Sequence, residues 1–116
     1  MTNRIQINRS PRQKAHRQFR QGVEENPLGD PRPTSVDFYS TPENYGHALI
    51  DAAYLTGYVG GKAPKTIAAS AYYAASLMFN VKRTHEDVKD VFGNSRQVVS
   101  NNYENMIRLL SEHEIE

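Results

Sequence analysis

Residues 64–79 read PKTIAASAYYAASLMF, and this stretch decides the fold. Pro64 suits the first position of a helix, because proline presets φ and lacks an N–H that a helix start leaves unbonded anyway. Beyond Thr66 the side chains are small or apolar nearly all the way round, with Ser70 and Ser76 the main polar exceptions. A helix without a polar face has no side to turn to water, so it belongs at the centre of a bundle. The run is too short to span a bilayer. Tyr72 and Tyr73 read as core residues whose hydroxyls find partners; the competing use of their rings is stacking on bases.

The flanking segments supply the surrounding helices. Upstream, Thr41 is a helix cap, Pro42 takes the first helical position, and Tyr45, Leu49, Ala52, Ala53 and Leu55 fall at helical spacing before Gly57, Gly60 and Gly61 end the run. Downstream, Thr84 caps a short helix with Asp87 three residues on, Val88, Val91 and Phe92 form its inward face, and Gly93 stops it. Ser95 caps the last helix, in which Val99, Tyr103, Met106 and Leu110 follow one stripe. No strand signal or repeat stands out, so the reading is all-α, four or five helices around one that is buried.

Residues 1–40 differ in kind. Residues 1–20 hold six Lys or Arg (Arg4, Arg9, Arg12, Lys14, Arg17 and Arg20) and no acid, whereas the rest of the chain holds eight against 13 Asp and Glu. Such a cluster gains sequence-independent affinity for phosphate backbones through counterion release. A solvated tail and an acidic protein surface are the other readings. Ser10, Pro11 and the stripe Ala15, Phe19, Val23 predict a short basic helix. NPLGDPRPTS (26–35) then disfavours regular structure. The expected division is a basic arm and Pro-rich linker over 1–40 and a folded domain over 41–116.

Several chemistries find no support. With no cysteines, disulfides, zinc ribbons and thiol nucleophiles are excluded. His16, His47, His85 and His113 are far apart, and HEDVK (85–89) misses the metalloprotease pattern at its fifth position. GYVGGKAPKT has Ala63 where a phosphate loop needs Ser or Thr. Neither a catalytic set nor a cofactor fingerprint converges, so no enzyme activity, metal or cofactor is expected. No apolar signal core follows the N-terminal basic residues, and the expected setting is cytoplasmic and nucleoid-associated, without membrane contact.

What remains is RTHEDVKDVFGNSRQVVSNNYENM (83–106): a helix, a turn over Gly93 and Asn94, and a second helix, the spacing of a helix-turn-helix. Its exposed set is Arg96, Gln97, Ser100, Asn101 and Glu104. Arg can read guanine, and Asn or Gln can read adenine. The same geometry also occurs in proteins that never touch DNA.

The order and spacing of these pieces resemble the second cyclin-like repeat of the transcription initiation factor B family, archaeal and eukaryotic. The resemblance spans roughly Tyr45 to Leu110. It rests on the glycine turn and GK-x-P at Gly61 to Pro64, on IAASAYYAASL, on KRT at Lys82 to Thr84, and on V-x-N-x-Y at Val99, Asn101 and Tyr103. It implies a cyclin fold of five helices with the Ala-rich one central and a C-terminal helix-turn-helix. It implies contact with promoter duplex DNA and with a TATA-binding-protein-like partner. By position, Ser95, Arg96, Gln97, Ser100 and Asn102 face DNA, while Lys65, Thr66, Arg83 and Thr84, at two helix starts, face phosphates.

Two departures stand out. The family typically keeps Arg on both sides of the central Asn; here those places hold Ser100 and Asn102. No clear counterpart of the repeat's first helix stands out; either the segment after Ser10 supplies it, or the Pro-rich strap with Phe38 and Tyr39 covers the same groove. The reading is a small standalone cyclin-like protein that binds nucleic acid through its arm and helix-turn-helix. The alternative is a non-enzymatic interaction module, an adaptor, structural component or inhibitor in an assembly, that uses the cyclin groove and the basic arm.

Overall fold

The computed structural model describes residues 10–29 and 41–114, which form α1 (Pro11–Glu25), α2 (Pro42–Leu55), α3 (Pro64–Met78), α4 (His85–Phe92) and α5 (Arg96–Glu114). Arg4, Arg9, Phe38 and Tyr39 lie outside the described residues. The helix starts follow local chemistry. Ser10 Oγ accepts from Gln13 N while Gln13 Oε1 accepts from Ser10 N, and Thr84 with Asp87 repeats the same reciprocal pair on α4. Thr41 Oγ1 accepts from Asn44 N at the start of α2. Gly93, at φ 80°, stops α4 in the left-handed region that glycine enters without strain.

α3 is the axis of the bundle. The other four helices all touch it, and they form a closed ring around it in the order α1, α2, α5, α4. Its Ile67, Ala68, Ala69, Ala71, Tyr72, Ala74 and Ala75 are all fully buried. Alanines let four neighbours approach one helix closely, which bulkier residues would prevent. The two buried serines stay satisfied because Ser70 Oγ donates to Thr66 O at 2.8 Å and Ser76 Oγ to Tyr73 O at 2.7 Å. Tyr72 is core, as expected, and donates its hydroxyl to Asn26 O. Tyr73 is half-buried, meeting Tyr103 edge to face.

The structure differs from the sequence reading at the division after residue 40. α1 is a wall of the bundle, with Ala15, Phe19 and Val23 buried, so residues of α1 pack with the helices that follow residue 41. The segment after Ser10 forms α1, which packs on α2, α3 and α4, while the Pro-rich strap with Phe38 and Tyr39 lies outside the described residues. The cause is a pair of close approaches. The Phe19 ring lies on Gly46 of α2, and the Phe92 ring of α4 lies on Gly22 of α1; a methyl group at either glycine would fall inside the facing ring. The chain leaving α1 is also fastened, with Leu28 buried and Pro27 O accepting from Arg83 Nη2.

Candidate nucleic-acid interface

The turn between α4 and α5 is held from both sides. Ser95 Oγ accepts from Val98 N at 3.3 Å, capping α5, and Asn94 Nδ2 donates to Thr66 Oγ1 of α3 at 3.4 Å. Val99, Met106 and Leu110 point α5 into the core. The 3.6-residue period then brings Arg96, Gln97, Ser100, Asn101 and Glu104 onto one exposed face, beside exposed Ser95. Gln97 Nε2 donates to Asn101 Oδ1 at 3.1 Å, which aligns two amides along that face. Its formal charge is one Arg against one Glu. His85 stands beside it: its ring stacks on Tyr73, and burial first, then the Arg96 charge, lowers its pKa.

Asn102 is not part of this face. It is buried, its Oδ1 accepts from Tyr58 OH at 2.7 Å, and its Nδ2 donates to Val98 O at 2.7 Å. Tyr58 OH also accepts from Asn105 Nδ2 at 3.2 Å, and Arg108 Nη2 donates to Asn105 Oδ1 at 2.8 Å. Lys62 Nζ sits 4.3 Å from the Tyr58 ring centre. Where the resemblance predicts an outward arginine position, this chain has an inward amide that fastens the turn after α2 to α5.

The two helix starts proposed for phosphates also differ from each other. At α4, Asp87 Oδ2 already accepts from Thr84 N at 2.9 Å, and Glu86 and Asp87 make the first turn acidic, which opposes a phosphate. Arg83 turns its guanidinium inward, to Lys82 O at 2.8 Å and to Pro27 O. Arg83 and Thr84 thus both take part in local hydrogen bonds at this helix start. At α3, no side chain caps the helix start at Ala63, the first turn has no acid, and Lys65 is exposed. Thr66 is half-buried and holds Asn94.

The four described cations of the basic segment lie on α1. Lys14, Arg17 and Arg20 are exposed, and Arg12 Nε pairs with Asp51 Oδ1 of α2 at 2.8 Å. Gln13, His16, Arg17 and Arg20 border one shallow concavity. Beneath it runs a chain of contacts that the sequence does not announce. His16 Nε2 lies 2.7 Å from Asp51 Oδ1, and His16 Nδ1 lies 2.7 Å from His47 Nδ1. Their ring centres are 4.9 Å apart with planes 26° from parallel, which fits rings meeting edge to edge through Nδ1. Burial pushes the Asp51 carboxyl up, but Arg12 and His16 outweigh it and hold it below its ordinary value. Burial, then the neighbouring His16 and Arg20 charges, push His47 down to about 4. Among the described residues no three His, Asp or Glu are placed to hold a metal ion.

A sequence model for the family described as "Transcription factor TFIIB repeat" matches residues 43–109. The chain is 34% identical over 71 residues to a transcription initiation factor IIB of Haloarcula vallismortis, covering 61% of this chain and 62% of that one. It is 32% identical over 71 residues to transcription initiation factor IIB 7 of Halobacterium salinarum, covering 61% and 22%. It is 36% identical over 62 residues to a transcription initiation factor IIB of Pyrococcus furiosus, covering 53% and 21%. The chain thus spans from about a fifth to about three fifths of the length of these relatives. No solved structure matches it. With the family model covering more than half its length, and with the five-helix bundle described above, the chain belongs to the TFIIB repeat family.

Proposed function

We propose that this protein is a small nucleic-acid-binding factor of transcription initiation or its regulation, corresponding to a second TFIIB-type repeat and working where the cell keeps its DNA. The observation that supports this best is the exposed face of α5, where Arg96, Gln97 and Asn101 stand together at the start of the second helix of a helix-turn-helix. Ser95 and Ser100 flank them, and the start of α3, where no side chain caps the helix and Lys65 is exposed, would suit a neighbouring phosphate. The α1 cations supply general attraction to the duplex.

The α5 face carries little net charge, which favours a second reading: a TATA-binding-protein-like or other protein partner shares the work, with the chain as an adaptor on it. A mobility-shift titration on duplex DNA at low salt separates the two. The DNA reading expects retardation, and a loss of about tenfold in affinity for a preferred site when Arg96 and Asn101 are both changed to Ala. Absence of any shift, with capture of a TATA-binding-protein-like protein, selects the adaptor.

A further inference from the structure

The α1 concavity lies diagonally across α3 from the α5 face, so it is a separate surface. Its cations are exposed, the only described ion pair on this helix's cations is that of Arg12 with Asp51, and no acid occurs on α1 before Glu24. What distinguishes it from an ordinary basic stripe is His16. This ring is part of the concavity wall, yet both its nitrogens are engaged from behind, by Asp51 and by His47.

The hydrogen-bond chemistry of that chain limits its protonation. A carboxylate only accepts, so His16 Nε2 carries a hydrogen toward Asp51. In the neutral pair, His16 Nδ1 then accepts from His47 Nδ1–H. If His16 takes a proton, it becomes the Nδ1 donor, and His47 changes tautomer to accept. The bond survives this step with donor and acceptor exchanged. A second proton would set two N–H groups against each other at 2.7 Å and is refused, in agreement with the depressed His47. The bond geometry thus has room for one added proton but not for two, on a pair that borders Arg17 and Arg20.

We propose that the concavity of Gln13, His16, Arg17 and Arg20 seats a phosphodiester backbone, and that the backbone binds together with one proton shared by the His16–His47 pair. This rests on the nucleic-acid reading above and adds to it a second contact surface and a pH dependence. The charged groups acting on the pair are Arg12 and Arg20 from α1 and Asp51 from α2, with Arg17 bordering the same concavity and Glu43 one turn before His47; on α3, Tyr72 meets the Phe19 ring that also meets His47. Arg20 disfavours the extra proton, Asp51 favours it, and a phosphate in the concavity would tip the balance toward it.

The experiment is fluorescence anisotropy of the full chain with a labelled duplex of arbitrary sequence, at fixed low salt, from about pH 8 to about pH 6, the range in which imidazoles titrate. If the bound backbone raises the affinity for one proton by about one pKa unit, wild-type binding tightens about fivefold across this range. His16→Gln, which stays neutral, loses that gain while keeping its circular-dichroism helix signal. Arg17→Ala with Arg20→Ala, both exposed, weakens binding at every pH. His85→Gln, beside Arg96 on the other surface, leaves the gain intact. A flat wild-type profile, or an undiminished gain in His16→Gln, overturns the proposal. Binding that ignores the α1 variants but falls with Arg96→Ala and Asn101→Ala also overturns it, and leaves the α5 reading standing. Loss in the α1 variants alone supports it and removes the α5 reading. Equal affinity and equal pH dependence for polyglutamate would replace the nucleic acid with an acidic protein.

Discussion

α1 and α5 flank the same buried helix and present opposite kinds of polar surface. α1 shows exposed Lys14, Arg17 and Arg20 over a histidine pair, whereas the start of α5 shows one arginine, two linked amides and a glutamate. Charge attracts any phosphate backbone, while amides and a single guanidinium discriminate base edges weakly and at short range. The difference teaches that affinity and discrimination need not share a helix. In the function proposed for this chain, the two would lie on opposite sides of α3.

The largest effect should come from breaking α1 off the bundle. Phe19→Ala leaves a cavity against Gly46 and should cost about 3–5 kcal/mol, read by urea denaturation. A free basic arm would show no change. Next, Asn102→Ala strips the half-buried Tyr58 hydroxyl of its acceptor and should cost about 1–2 kcal/mol, with DNA affinity of the remaining folded protein unchanged. Were Asn102 a base reader, affinity would fall and stability would hold.

A smaller effect follows from acid. Between about pH 6.5 and 4 the unfolded chain binds a proton on His47 that the folded chain refuses, so stability falls as pH falls through that window. Asp51, held low, works in the same direction because its paired carboxylate is lost only on acidification. The ring is half-exposed, so solvent screening reduces the His47 contribution to about 1–2 kcal/mol. Thermal melts should show this slope in wild type and a shallower one in His47→Gln.

How much of this was legible depends on whether the cause was local. The centrality of α3 shows in its own composition, and the limits of α4 follow from Thr84, Asp87 and Gly93 within a few residues. α1's stripe of Ala15, Phe19 and Val23 was visible as a helix, but its place in the wall depends on Gly22 and Gly46, which matter only through rings far away in sequence. The His16–His47 contact spans 31 residues and has no local signal. Asn102 is a different case. It sits three residues after Val99 and four before Met106, on the inward face by period alone, and the family pattern pointed it outward instead.

The central claim is that the cationic charge meeting nucleic acid is carried by a folded helix on the side away from α5. The most direct test is the salt dependence of duplex binding by wild type, by Arg17→Ala with Arg20→Ala, and by Arg96→Ala. Two lost phosphate contacts should reduce the slope of log affinity against log salt by about 2 in the α1 double variant, and by about 1 or less in the α5 variant. An unchanged slope in the α1 variant, with the loss confined to Arg96→Ala, would contradict the account.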